Sequence, residues 1–160
     1  MTVQPAAHTW IDKIAAVFNI EDGKGGRVRS YKQADLKELP DAITSDQVPC
    51  VVHHIRDCQP LYSLGGPTIL FWEGVSQFHL FEDIKAANWS EALPYFPRIL
   101  AAAMGNVKLN GTVDTFMIPE QPRAIWFVTF RRIDGSDDHD GIQVTWTVKQ
   151  TVTGSYTVSA

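Results

Sequence analysis

His53 and His54 are the adjacent pair in this chain best equipped to hold a metal ion or move a proton near neutral pH. They lie inside Val48–Asp57, a run that reads as a strand opening behind Pro49, where a missing N–H is tolerated. Adjacent side chains of a strand point to opposite faces, so the two imidazoles cannot share one ion. The expected arrangement has one ring turned inward and hydrogen-bonded and the other in water. Cys58 or Asp57 would join either ring only if the strand broke there.

A second candidate is the acidic run from Asp134 to Gly141, with Asp137, Asp138, His139 and Asp140 inside it. Ser136, Asp138 and Asp140 followed by Gly141 imitate the first half of a calcium loop, with oxygens at positions 1, 3 and 5 and glycine at 6. The twelfth position, which needs a bidentate Glu, holds Thr147. An EF-hand is therefore excluded. Weak divalent binding stays open, and a solvated hairpin tip rich in turn residues is the favoured reading.

The two cysteines, Cys50 and Cys58, are eight positions apart, roughly 26 Å along an extended chain. They read as free thiols of a reducing compartment, with Cys50 a small core residue. No G-x-S-x-G elbow is present, and Gly23–Gly26 lacks both the spacing of a phosphate loop and a following helix. The sequence therefore supplies no catalytic, cofactor or metal residue, and an enzyme is not expected. A small hydrolase or ligand-binding α+β domain remains the alternative of another class; it needs a pocket near His53, His79 or His139.

Lys24, Arg27, Arg29, Lys32 and Lys37 gather in the first third of the chain. Such a run is usually a solvated face. It also offers Arg27, Arg29 and Lys32 as a patch that would meet Asp137, Asp138 and Asp140 of a neighbouring copy.

Several elements must position these groups. Trp10, Ile11, Ile14, Val17 and Phe18 recur at helical spacing, with Thr9 as a candidate cap and a stop near Asn19. Arg27–Tyr31 reads as a short extended piece, and 32–47 as a loop with one helical turn. A Gly65-Gly66-Pro67 turn precedes two extended runs, Thr68–Trp72 and Val75–Ile84, joined or kinked at Gly74. A second helix is expected to open at Ser90, to become regular near Pro94 or Pro97, and to end at Gly105-Asn106. Leu93, Phe96, Leu100 and Met104 form its one expected apolar face.

Thr112–Ile118, Ala124–Arg132 and Ile142–Gln150 are further strands, the last two joined as a hairpin. In the last of them Ile142, Val144, Trp146 and Val148 alternate with polar residues, the cleanest half-buried strand in the chain. Strands in runs between helices predict an α+β fold: a mixed, largely antiparallel sheet with two main helices on one face. Its extent is one domain over 1–150, with 151–160 a tail or arm.

The chain has 160 residues, 44% hydrophobic and 20% charged, with five Trp, which is enough to build a core without staples. A net charge of −4 leaves no basic footprint for sequence-specific nucleic-acid binding. Apolar stretches run to six residues at most, too short for a membrane span, and no secretory leader is visible.

Arg27-Val28-Arg29-Ser30-Tyr31, then Leu39-Pro40 through Pro49 into a strand, and Leu109-Asn110-Gly111-Thr112-Val113-Asp114 after a helix form an ordered set. Over roughly residues 8–150 this set resembles the tail terminator (minor tail, or tail completion) proteins of long-tailed double-stranded DNA phages. The long acidic hairpin and the stretch after Gln150 depart from that pattern, and neck and head-completion proteins share much of the architecture. The resemblance implies a virion protein assembled in the host cytoplasm. It would form a homo-oligomeric ring, typically a hexamer, on the head-proximal end of the tail tube. Its partners would be its own copies, the tail tube protein and the head–tail connector, with DNA passing through the ring. The family offers no catalytic residue, cofactor or metal ligand to carry over.

Overall fold

A computed structural model describes residues 7–31, 43–61, 68–131 and 138–152. Helix α1 (Ala7–Val17) is followed by strand β1 (Arg29–Tyr31) and a 3-10 turn (Ser45–Gln47). Two long strands come next, β2 (Cys50–Leu61) and β3 (Thr68–Phe81). After the helices α2 (Asn88–Ala92) and α3 (Tyr95–Met104) come β4 (Thr115–Met117), β5 (Ile125–Phe130) and β6 (His139–Val152).

The six strands form one sheet in the order β1-β2-β3-β6-β4, with β5 also paired to β6. Among the described residues, only β1 and β2 run parallel; every other pairing is antiparallel. β6 is the spine. β3 pairs with it from Asp140 to Val152, while β5 takes His139–Val144 and β4 takes Thr147–Lys149 on its other edge. The fold is α+β, as the grouping of strands into runs implies.

Register decides which side chains meet the helices. Val51, Phe78, Ile142, Val144, Trp146 and Val148 stand on one face and join Trp10, Ile11 and Ile14 of α1, Phe18 just beyond its end, and Tyr95, Ile99 and Ala103 of α3 in a single core. The four apolar residues of Ile142–Val148 are fully enclosed as expected, but the strand is not half-buried, since Thr145 and Thr147 on its opposite face are buried too. Aromatic rings mesh across the layer. Trp10 lies 5.5 Å from Trp72 and 5.8 Å from Trp146, and Phe18 lies 5.5 Å from Phe78.

Four local readings are decided or changed. Gly74 does not divide two strands: β3 runs straight through it, because a Cβ there would stand 2.3 Å from the Trp146 ring and 2.6 Å from the His54 carbonyl oxygen. The glycine is a socket for the indole. Thr9 falls inside α1 and Ser90 inside α2, so neither caps a helix. Ile84 lies beyond the end of β3 and is exposed.

The fourth change concerns α3, which does begin directly after Pro94 but buries a different face. Tyr95, Ile99 and Ala103 point into the core, while Leu93, Leu100 and Met104 remain at least 42% exposed. The small Ala103 and Ala92 let the helices approach the sheet closely, which the bulkier stripe would prevent.

Candidate functional site

His53 is completely enclosed beneath α1, stacked 6.0 Å from Phe18. Its Nε2 lies 2.8 Å from Ser30 Oγ and its Nδ1 2.7 Å from Ser76 Oγ, and Trp146 Nε1 donates to that same Ser76 oxygen at 2.9 Å. A neutral imidazole donates through one nitrogen and accepts through the other, and rotating hydroxyls satisfy both. Burial, followed by the charge of His54, pushes its pKa down to about 3. His54 points to the opposite face and is exposed, as strand alternation requires.

His79 and His139 do come together across β3 and β6, their rings 5.5 Å apart and edge to face. Both are buried, and Phe130 packs 4.3 Å from His79. Burial, then the neighbouring His139 and His54, pushes the His79 pKa down to about 4. Its Nδ1 is enclosed without a hydrogen-bond partner among the described residues. All three rings are therefore internal: His53 bridges strands β1 and β3, and the His79–His139 pair packs between β3, β5 and β6. Burial also raises the Cys50 thiol to about 12, so it is an inert small core group, free like Cys58.

The acidic run divides. Asp134 and Asp137 lie outside the described residues, as does Ser136. β5 and β6 form the expected hairpin, but His139, Asp140 and Gly141 belong to the strand rather than to its tip. Asp140 is 2% exposed. It accepts hydrogen bonds from Thr129 Oγ1 at 2.6 Å, Asn88 Nδ2 at 3.0 Å and the Lys85 backbone N–H at 3.2 Å. Its carboxylate ties α2 to the hairpin and is available neither to a partner nor to a calcium loop, which the extended backbone from His139 onward could not wrap. Asp138 pairs with Arg131 at 3.9 Å.

The basic run divides as well. Lys32 and Lys37 lie outside the described residues, and Arg29 is exposed on β1 at the sheet edge. Arg27 lines a groove of about 580 Å³ between the C-terminal halves of α1 and α3, where Lys13 and Arg98 join it above an apolar floor of Val17 and Ala102. Beside this groove runs the exposed stripe of α2 and α3. Trp89 is 51% exposed, Leu93 50% and Met104 68%, with Val107 beyond the helix end. The Trp89 ring stands edge-on to Phe127 at 5.3 Å and to Phe96 at 6.5 Å, which fixes its position on the surface. Contiguous large apolar side chains left on a surface are a common feature of contact sites.

The sequence pattern marks Leu93, Leu100 and Met104 as the one apolar face of the second helix and does not single out Trp89 or Val107. The signal that separates the two faces is the Tyr95-Ile99-Ala103 series, which has the same spacing and ends in a small residue. Searches against protein-family models and against curated proteins find nothing that matches this chain.

Proposed function

We propose that this chain is a structural assembly subunit that forms a ring, of the kind that caps the head-proximal end of a phage tail tube. In that role it ends tube polymerisation and joins the tail to the head connector. The observation that carries the reading is the apolar ridge Trp89-Leu93-Leu100-Met104, each of whose residues is at least 42% exposed. A ridge of this kind is stabilised when another chain covers it, and closed symmetry limits such a contact to a finite ring. The enclosed histidines and the committed Asp140 serve packing.

Static light scattering and negative-stain microscopy of the purified protein, alone and with tail tubes, test the reading. Ring-sized particles, or rings seated on tube ends, are expected. A protein that stays monomeric and ignores tube ends overturns it. Binding to capsid portals in place of tubes would move the subunit to the neck of the particle.

A further inference from the structure

The groove between α1 and α3 is lined by three cations, Lys13, Arg27 and Arg98, against one carboxylate, Glu21, which leaves an excess of positive charge. Arg27 is held by donating from Nη1 to the Asn19 carbonyl oxygen at 2.7 Å. Arg98 donates to the Glu21 carbonyl oxygen at 3.4 Å and lies 5.5 Å from the centre of the Tyr95 ring. Gly23, at φ +78°, leaves room for that guanidinium, since a Cβ there would stand 3.1 Å from Nη1. Both groups are thus fixed by backbone oxygens and an aromatic face. Among the described residues, neither they nor Lys13 forms an ion pair, although Glu21 lines the same groove.

The opposite charge is also present, unneutralised, elsewhere on the molecule. Asp57 and Glu73 are direct cross-strand partners on β2 and β3. Like charges placed opposite each other destabilise a strand pair. Among the described residues neither carboxylate forms an ion pair; Asp57 accepts only a hydrogen bond from the Cys58 N–H, at 2.8 Å. Trp72 packs on Trp10 and Gly74 receives Trp146, so Glu73 between them points away from the helices. The cationic groove lies on the helical side of the sheet and the carboxylate pair on the other.

We infer that the α1–α3 groove of one copy receives the Asp57–Glu73 ribbon of the next copy, with Arg27 and Arg98 meeting the two carboxylates. The inference rests on the ring reading and names a second contact, beside the ridge, that the ring would use. Because the two patches lie on opposite sides of the sheet, they cannot pair about a two-fold axis. The contact is heterologous, running head to tail until it closes. A second copy suits the groove better than nucleic acid does. The chain is net acidic, and three cations beside an apolar floor suit a short acidic segment rather than a continuous phosphate backbone.

A charge-exchange experiment tests this on the whole chain. Arg98→Glu alone and Asp57→Lys alone should each raise the concentration needed for ring formation by about tenfold, while each purified variant keeps the wild-type circular dichroism spectrum. An equimolar mixture of the two should assemble again. Each wild-type groove then meets a wild-type ribbon, and each reversed groove meets a reversed ribbon. Rescue by mixing cannot arise from two misfolded variants. If wild type assembles and both variants assemble equally well, or if the mixture does not recover, this contact is wrong while the ring stands. If wild type forms no ring either in solution or on tail-tube ends, both readings fall.

Discussion

His53 and His79 are buried in their neutral forms, with pKa values pushed down to about 3 and about 4 from the ordinary 6.5. The unfolded chain therefore binds protons at these positions before the folded chain does, and stability falls as pH drops below about 6.5. Each imidazole contributes a loss on the order of 2 kcal/mol by about pH 5, and the fall continues towards the folded values. Urea midpoints measured at neutral pH and at about pH 5 should show this decline, and equal midpoints would contradict the burial described for both rings. Asp140 offers a second check at this scale. Asp140→Ala leaves the Asn88 amide, the Thr129 hydroxyl and the Lys85 N–H without their acceptor and should destabilise the domain by about 2–3 kcal/mol in chemical denaturation. A change below about 0.5 kcal/mol would mean that the carboxylate is not the tie between α2 and the β5–β6 hairpin.

Among the elements, β6 was the most legible, because its inner and outer residues differ sharply in polarity and only one register buries Ile142 through Val148. α3 was misread because it is apolar on two sides. Leu93-Phe96-Leu100-Met104 is the more hydrophobic stripe, yet the sheet accepts Tyr95-Ile99-Ala103, whose smaller end lets the helix sit close. Hydrophobicity alone cannot rank two such stripes; the shape of the opposing surface does. Gly74 shows the same limit, since its meaning depends on Trp146, which is 72 residues away and directly opposite in the β3–β6 register. The pairing of His79 with His139 was hidden for that reason too. Gly74→Ala should test the socket. The added methyl has backbone on one side and the indole on the other, so a loss of about 1–3 kcal/mol is expected, with a change in Trp fluorescence of the folded state. Unchanged stability would show that β3 has slack at this point.

At the scale of the whole molecule, the ridge and the groove make different demands on solvent, which allows their contributions to assembly to be separated. The ridge contact would remove apolar surface from water, so an excluded salt such as ammonium sulfate should strengthen it. The groove contact would pair charges at a partly exposed rim, so sodium chloride should weaken it as the screening length shortens to a few ångströms near 1 M. Leu100→Asp and Met104→Asp should cost the monomer no more than about 1–2 kcal/mol, because both side chains are partly exposed and the charge falls in the C-terminal half of α3. They should nonetheless block ring formation in either salt. Arg98→Glu should instead leave an assembly that sodium chloride no longer loosens, since the attractive charge contact is already gone. Light scattering across the two salt series distinguishes these outcomes. Ridge variants that assemble like wild type would place the contact surface elsewhere and remove the observation on which the ring reading stands.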